Sequence, residues 1–339
     1  NKAVAGQGGA VHNQRATTEI GDNAKFYNNT AIGYGGGAIY QDTDGAAASL
    51  TVGANAEFYN NSTTSSHGGA VMNFNAGDNA SLIIKEGAKF VNNSAGKTGG
   101  AISNWGAETT VGENAEFTAN TSEGNGGAIY NANYGGKDSE VNISGNTIFS
   151  QNISKGDGGA IYNAGNINLD TTAGDITFKD NEANGIKNDL YLATGSTTTI
   201  SGNSHNVSIG GGLVSETGSA LDISGSSNLT IEKGAVADIS GSLTSTGSGQ
   251  VVNNGDVTVS GTSTASITNN GSLTIANGGS YIANVIQDNN DSSITVNDGG
   301  IFGTSSTLQG GSLTVNDGGK INGSVEVTEA VDVNVGSAT

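Results

Sequence analysis

The sequence predicts an all-β chain wound as a single parallel β-helix, and three observations carry that expectation. A Gly-Gly-Ala-[Ile/Val] tetrapeptide occurs six times, at Gly8–Val11, Gly36–Ile39, Gly68–Val71, Gly99–Ile102, Gly126–Ile129 and Gly158–Ile161. Six Phe-x-x-Asn units alternate with it, Phe26 to Asn29, Phe58 to Asn61, Phe90 to Asn93, Phe117 to Asn120, Phe149 to Asn152 and Phe178 to Asn181. Apolar residues make up 34% of the 339, aromatics only 5%, and Gly reaches 56. That is too little apolar material for a round core and enough for a narrow one.

Spacing of the Phe residues falls in the range of solenoid repeats, one supersecondary unit per period. Within a repeat, Gly36 to Tyr40, Ser49 to Val52 and Ala56 to Tyr59 are short apolar stretches separated by Gly, Asp and Asn turns. They read as three strands per coil. Coils stacked at about 4.8 Å would place Phe26, Phe58, Phe90, Phe117, Phe149 and Phe178 in one internal column. The closing residues Asn29, Asn61, Asn93, Asn120, Asn152 and Asn181 are expected to form a corner ladder, since Asn tolerates left-handed backbone and its amide can bond along a stack. A second amide row is expected three residues beyond the Ala, at Asn13, Gln41, Asn73, Asn104, Asn131 and Asn163. In each Gly pair, Gly37, Gly69, Gly100, Gly127 and Gly159 would let neighbouring coils approach closely. A phosphate-cradling loop would need a helix after the glycines, and no helical period follows any copy.

After Asn181 the pattern changes. Asn188-Asp189-Leu190-Tyr191-Leu192 stands where a seventh Gly-Gly-Ala would fall, and beyond it segments such as Ser272-Leu273-Thr274-Ile275 and Ser312-Leu313-Thr314-Val315 recur with looser spacing. The expected division is 1–194, the tetrapeptide-repeat β-helix, and 195–339, a continuation with shorter rungs, about thirteen coils in all. The ordered recurrence of these triplets argues against a disordered linker of similar composition.

Twelve Lys and Arg face 31 Asp and Glu, a net charge of −19 that would repel nucleic-acid phosphates. With no Cys, thiol catalysis, thiolate metal sites and disulfides are excluded. No apolar run reaches the ~18 residues of a membrane span, and the start at Asn1-Lys2-Ala3-Val4 reads as a processed or excised segment.

The alternating units resemble the polymorphic membrane protein class of autotransporter passengers over roughly residues 8 to 181. The resemblance implies a right-handed parallel β-helix, exported across a Gram-negative outer membrane and displayed outside the cell for attachment to host cells or other surfaces. It would place contacts at the Gly-Gly-Ala units and their loops. The later segments look like the generic repeats of other autotransporter passengers. The class carries a signal peptide and a C-terminal barrel, and neither is in this sequence, so the secretion route rests on the resemblance.

Chemistry has few candidates. Asp42 with Asp44, Asp288 with Asp291 and Glu326 with Glu329 are the closest acidic pairs and read as solvated turn residues. His12, His67 and His205 lie in different repeats without ligand spacing. Trp105, Tyr40, Tyr130 and Tyr162 could offer carbohydrate-stacking surfaces or serve packing. The expectation is a non-catalytic adhesin with no catalytic, metal or cofactor residues, whose partner is a host or bacterial surface receptor or glycan. A stalk or self-associating filament subunit is the alternative, followed by a polysaccharide-degrading β-helix enzyme and, last, ice binding through Thr197-Thr198-Thr199.

Overall fold

Residues 1–336 are described by the computed structural model, apart from Ala5, Asp78 and Thr304. No helix occurs among them, and apart from the antiparallel pair Glu182–Ala183 with Ile186–Lys187 the strands form parallel sheets whose register steps from each coil to the next, a right-handed parallel β-helix. The chain divides into two compact units, Asn1–Tyr191 and the residues from Leu192 onward.

The first unit has four strands per coil rather than the expected three. In the second coil these are Ile39–Asp42, Ala48–Val52, Glu57–Tyr59 and Ser62–Thr63. The additional two-residue strand follows directly on the ladder Asn, and Ser62 pairs with Ser94 of the next coil. Strand pairs this short carry no hydrophobic alternation, which is why sequence pattern does not reveal them.

Like residue types lie in register. Ile39 pairs with Val71, Leu50 with Leu82 and Phe58 with Phe90. Alternation along Ala48–Val52 sends Ala48, Leu50 and Val52 inward and leaves Ser49 and Thr51 half-exposed. The six Phe rings form the internal column, with successive centroids 4.5–4.8 Å apart and ring planes within 2–9° of parallel. Five of them are fully buried. Ring stacking follows here from strand spacing, because in-register rings must sit one strand separation apart. Removing one central ring, as in Phe90→Ala, falls in the class of core truncations that cost about 3–5 kcal/mol.

Turn chemistry differs in one detail from expectation. The left-handed residue is not the ladder Asn but the one before it: Asn28, Asn60, Asn92, Ala119, Gln151 and Asp180 all have φ of 54–55° or 56°. The ladder Asn itself is thereby turned inward. The two glycines of each pair also divide their labour. Gly36, Gly68, Gly99, Gly126 and Gly158 hold positive φ, whereas a Cβ on Gly37, Gly69, Gly100, Gly127 or Gly159 would collide with the backbone carbonyl of the following coil.

The second unit has three strands per coil. One column of strands begins at Gly212, Val236, Asp256, Ser272, Ser293, Ser312 and Asp332, and its coils are correspondingly short. Leu, Ile and Val fill its interior, joined by a buried pair in register, Tyr281 over Phe302. Burial pushes the Tyr281 phenol far above its usual range, and its hydroxyl donates to the Ala265 carbonyl at 2.5 Å.

Candidate functional site

The repeat residues singled out by sequence are interior. Asn29, Asn61, Asn93, Asn120 and Asn152 each donate from Nδ2 to Oδ1 of the next coil's Asn at 2.9–3.0 Å, ending on Asn181. The same Oδ1 atoms accept a backbone N–H from the preceding coil's ladder residue, as Asn93 Oδ1 does from Asn61 N at 2.9 Å. The second Nδ2 hydrogen reaches a Phe carbonyl, Asn93 to Phe58 at 2.9 Å. Every lone pair and hydrogen of a central amide is occupied, so no ladder residue is free to hold a ligand. The second row is continuous as well, Asn13 to Gln41, Asn73, Asn104, Asn131 and Asn163 at 2.9–3.1 Å.

The Gly-Gly-Ala-[Ile/Val] units are buried in five of six copies, the half-exposed one being Gly8–Val11. The tetrapeptides themselves thus offer little exposed surface, and the loops that flank them, which the resemblance names with them, lie on the exterior. A third amide row went unnoticed in the sequence: Asn253 donates to Asn269 at 2.8 Å, and Asn269 to Gln287 at 3.0 Å, all fully buried. Its signal was present in Val251-Val252-Asn253-Asn254-Gly255 and Ile267-Thr268-Asn269-Asn270-Gly271.

Outside the tetrapeptide sheet lies an aromatic belt. Tyr130, Tyr162 and Tyr191 stack with centroids 5.3 and 5.4 Å apart and planes within 10°. Trp105 tilts over Tyr130 at 5.2 Å, and its indole N–H donates to Ser103 Oγ at 2.8 Å. The Tyr130 phenol is pushed up to about 12 by burial and then by Tyr162 beside it. Tyr40, also buried, is raised further by burial first and Asp42 second. Because these rings cover one another's faces, they present edges rather than open platforms, which favours packing over sugar stacking.

Trp105 and Phe74 hold a hairpin in place. Asn133 to Asp138 is an insertion in the fifth coil whose Gly135 and Gly136 have φ of 59° and 74°, the two left-handed positions of a type I′ turn. Tyr134 and Lys137 exchange backbone hydrogen bonds at 2.9 and 3.0 Å. The Tyr134 ring meets Phe74 edge-on at 4.9 Å and Trp105 at 5.7 Å. Asn133 Oδ1 accepts the Ser139 N–H at 2.8 Å, closing the base. The Gly135-Gly136 pair, lacking a following Ala, was the sequence signal for this hairpin.

Loop lengths then create a groove. The fourth coil turns in only Gly106 and Ala107, between the longer turns 75–79 of the third and 133–139 of the fifth. The resulting depression has a volume of about 420 Å³, with Ala80, Gly106 and Ala107 as its floor. Its walls carry Ser81, Glu108, Glu140 and Asn166, which are in register on successive strands, and Lys137 and Asp138 from the hairpin. Asn75 is buried beneath it, with Nδ2 donating to the Gly106 carbonyl at 2.8 Å. Among the described residues, the groove's charged side chains Glu108, Lys137, Asp138 and Glu140 are all exposed, and no ion pair joins Lys137 to these carboxylates.

The other sequence candidates sit apart from this groove. Asp44 pairs with Arg15 and accepts from Gln14 at 3.1 Å, while Asp42 Oδ1 accepts the Asp44 N–H at 3.0 Å. His12 lies edge-on to Tyr40, and His67 bonds Thr98 Oγ1 at 2.7 Å beside Trp105. Among the described residues no group of three His, Cys, Asp or Glu is placed to hold a metal ion.

Two stretches, residues 114–132 and 146–164, match the Chlamydia polymorphic membrane protein repeat. Each begins in the turn before a Phe-x-x-Asn unit and ends just past the following tetrapeptide, at Ala132 and Ala164. Proteins of that family are associated with the outer-membrane surface. No curated protein and no solved structure matches the chain.

Proposed function

We propose that this chain, which carries two Chlamydia polymorphic membrane protein repeats, is the passenger segment of a surface-displayed, non-catalytic adhesin of a Gram-negative bacterium. The observation that carries the reading is the internal use of the repeat residues, five of the six tetrapeptides being buried. Phe, Asn and Gly of every repeat are consumed in holding coils together, which leaves exterior loops free to vary and to contact a receptor or glycan on a host or bacterial surface. A non-catalytic reading is favoured by the solvent exposure of Glu108, Asp138 and Glu140, which lack the water-excluding cover in which glycan-cleaving carboxylates work. The test is direct: beads coated with the purified chain should adhere to epithelial cells or to bacteria above beads coated with albumin. Adhesion equal to albumin across cell types would sink the reading, and release of reducing sugars from polysaccharides would replace it with an enzyme.

A stalk or self-associating subunit is the second reading, supported by coils stapled through three amide rows. Sedimentation over a hundredfold range of concentration separates a monomeric stalk from a self-associating subunit: a constant mass argues for the first, a rising one for the second.

A further inference from the structure

We infer that the groove between the third and fifth coils is a binding site for an uncharged or amine-bearing saccharide of one or two rings. The inference rests on the adhesin reading and gives it a ligand class. Its volume of about 420 Å³ lies in the range of small-ligand sites. Ala80, Gly106 and Ala107 at its base are buried and project no large side chain into it, which leaves room for a small ring between the walls.

Around that floor stand groups suited to hydroxyls. Glu108 and Glu140 are direct register neighbours on adjacent strands, presenting acceptors side by side, while Asn166 extends the same row with an amide that both donates and accepts. Lys137 donates from the opposite, hairpin wall. Like charges in register are unfavourable when left alone. On the separate sheet built by the Phe-x-x-Asn strands the register alternates in sign instead, as Lys25 with Glu57 and Lys89 with Glu116, each pair at 3.3 Å. Among the described residues, Glu108, Asp138 and Glu140 against the one ammonium of Lys137 select against sialylated, sulfated or phosphorylated sugars and admit neutral or amino sugars.

The walls are set before any ligand arrives. Tyr134 wedged between Phe74 and Trp105, the Asn133–Ser139 bond and the Asn75 amide under Gly106 fix the hairpin and the floor, which lowers the ordering cost of a weak ligand. Glycans that bind singly at millimolar affinity become adhesive through many copies on a surface.

The test uses the whole purified chain and saturation-transfer NMR with lactose, cellobiose and the glucosamine dimer, against 3′-sialyllactose and a heparin disaccharide. At least one of the first three should show transfer, with the anionic pair silent. Glu108→Gln combined with Glu140→Gln should weaken that signal at least tenfold, and Tyr134→Ala should weaken it through loss of the hairpin wall. Glu113→Gln, outside the groove, should leave it unchanged, and circular dichroism checks that all variants remain folded. Silence of all three neutral or amine-bearing sugars, preference for the anionic pair, or binding indifferent to the double substitution overturns the proposal. Adhesion of coated beads that survives the double substitution would overturn the groove while leaving the adhesin reading intact.

Discussion

Asn181 donates from Nδ2 to Asp189 Oδ1 at 2.7 Å, and both residues are wholly inside the coil. Asp189 lies at the position that Ala160 takes one coil earlier, as the Ala160 N–H bonding to the Asp189 carbonyl at 3.1 Å shows. The seventh tetrapeptide is therefore replaced by a residue that closes the corner ladder with an oxygen acceptor. Asp189→Ala would strand a buried amide hydrogen, at a cost of about 1–3 kcal/mol. Asp189→Asn keeps an oxygen at the same place and should cost much less. Urea unfolding of the two variants, compared at constant slope, checks the difference.

Inside the ladder the asymmetry reverses. Asn93 both accepts from Asn61 and donates to Asn120 and Phe58. Asn93→Asp has the same shape but turns two donor positions into acceptors, facing the Asn120 oxygen and the Phe58 carbonyl. It should destabilise by about 3 kcal/mol or more at neutral pH and recover part of that loss in acid, where protonation restores one donor. Asn93→Ala should show no such recovery. Unfolding midpoints at pH 7 and pH 4.5 separate the two.

The glycines offer a paired comparison. Gly127 has ordinary φ but its Cβ would strike the Gly159 carbonyl, whereas Gly135 sits at φ 59° with open space where a Cβ would go. Gly127→Ala has to push adjacent coils apart and should cost more than 3 kcal/mol or prevent folding. Gly135→Ala meets only backbone strain, about 1 kcal/mol. Thermal denaturation of both, with expression yield for the first, tests the ranking.

Much of this was legible because stacking turns a sequence period into a column. Phe58 over Phe90 and Asn61 over Asn93 follow once the repeats are aligned, since in-register parallel strands superpose like on like. The left-handed corner was misplaced by one residue because Asn28-Asn29, Asn60-Asn61 and Asn92-Asn93 are adjacent pairs, and residue type alone cannot say which member bends and which bonds. The groove was illegible for a different reason. It arises from the difference in turn length between Gly106-Ala107 and its neighbours, a relation between coils that no single repeat contains.

That displaced corner gives a stabilising substitution. Ala119 holds φ 54° where Asn28, Asn60 and Asn92 hold the same position, and an alanine there costs about 1–2 kcal/mol against right-handed backbone. Asn lowers this penalty through local hydrogen bonding. Ala119→Asn should raise stability by about 0.5–1 kcal/mol, and Ala119→Gly by a similar amount less its entropy in the unfolded chain. A midpoint that falls for both variants would contradict the strained-corner account.

His67 supplies the pH dependence. Burial first and Lys97 second lower its pKa from 6.5 to about 4, so it remains neutral in the folded protein while the unfolded chain takes up a proton below pH 6.5. A depressed folded-state pKa contributes stability that is present above 6.5 and is lost as pH falls toward 4. Because the ring is only partly buried, the loss is expected on the order of 1–2 kcal/mol rather than the full linkage value. His67→Gln should flatten the stability profile between pH 6.5 and 4. The same substitution loosens the edge-on contact of His67 with Trp105 at 5.0 Å, and through Trp105 the Tyr134 wedge. A lower midpoint at pH 7 together with a flatter acid limb would therefore trace both effects to one side chain, and an unchanged acid limb would show that His67 is not the group that titrates.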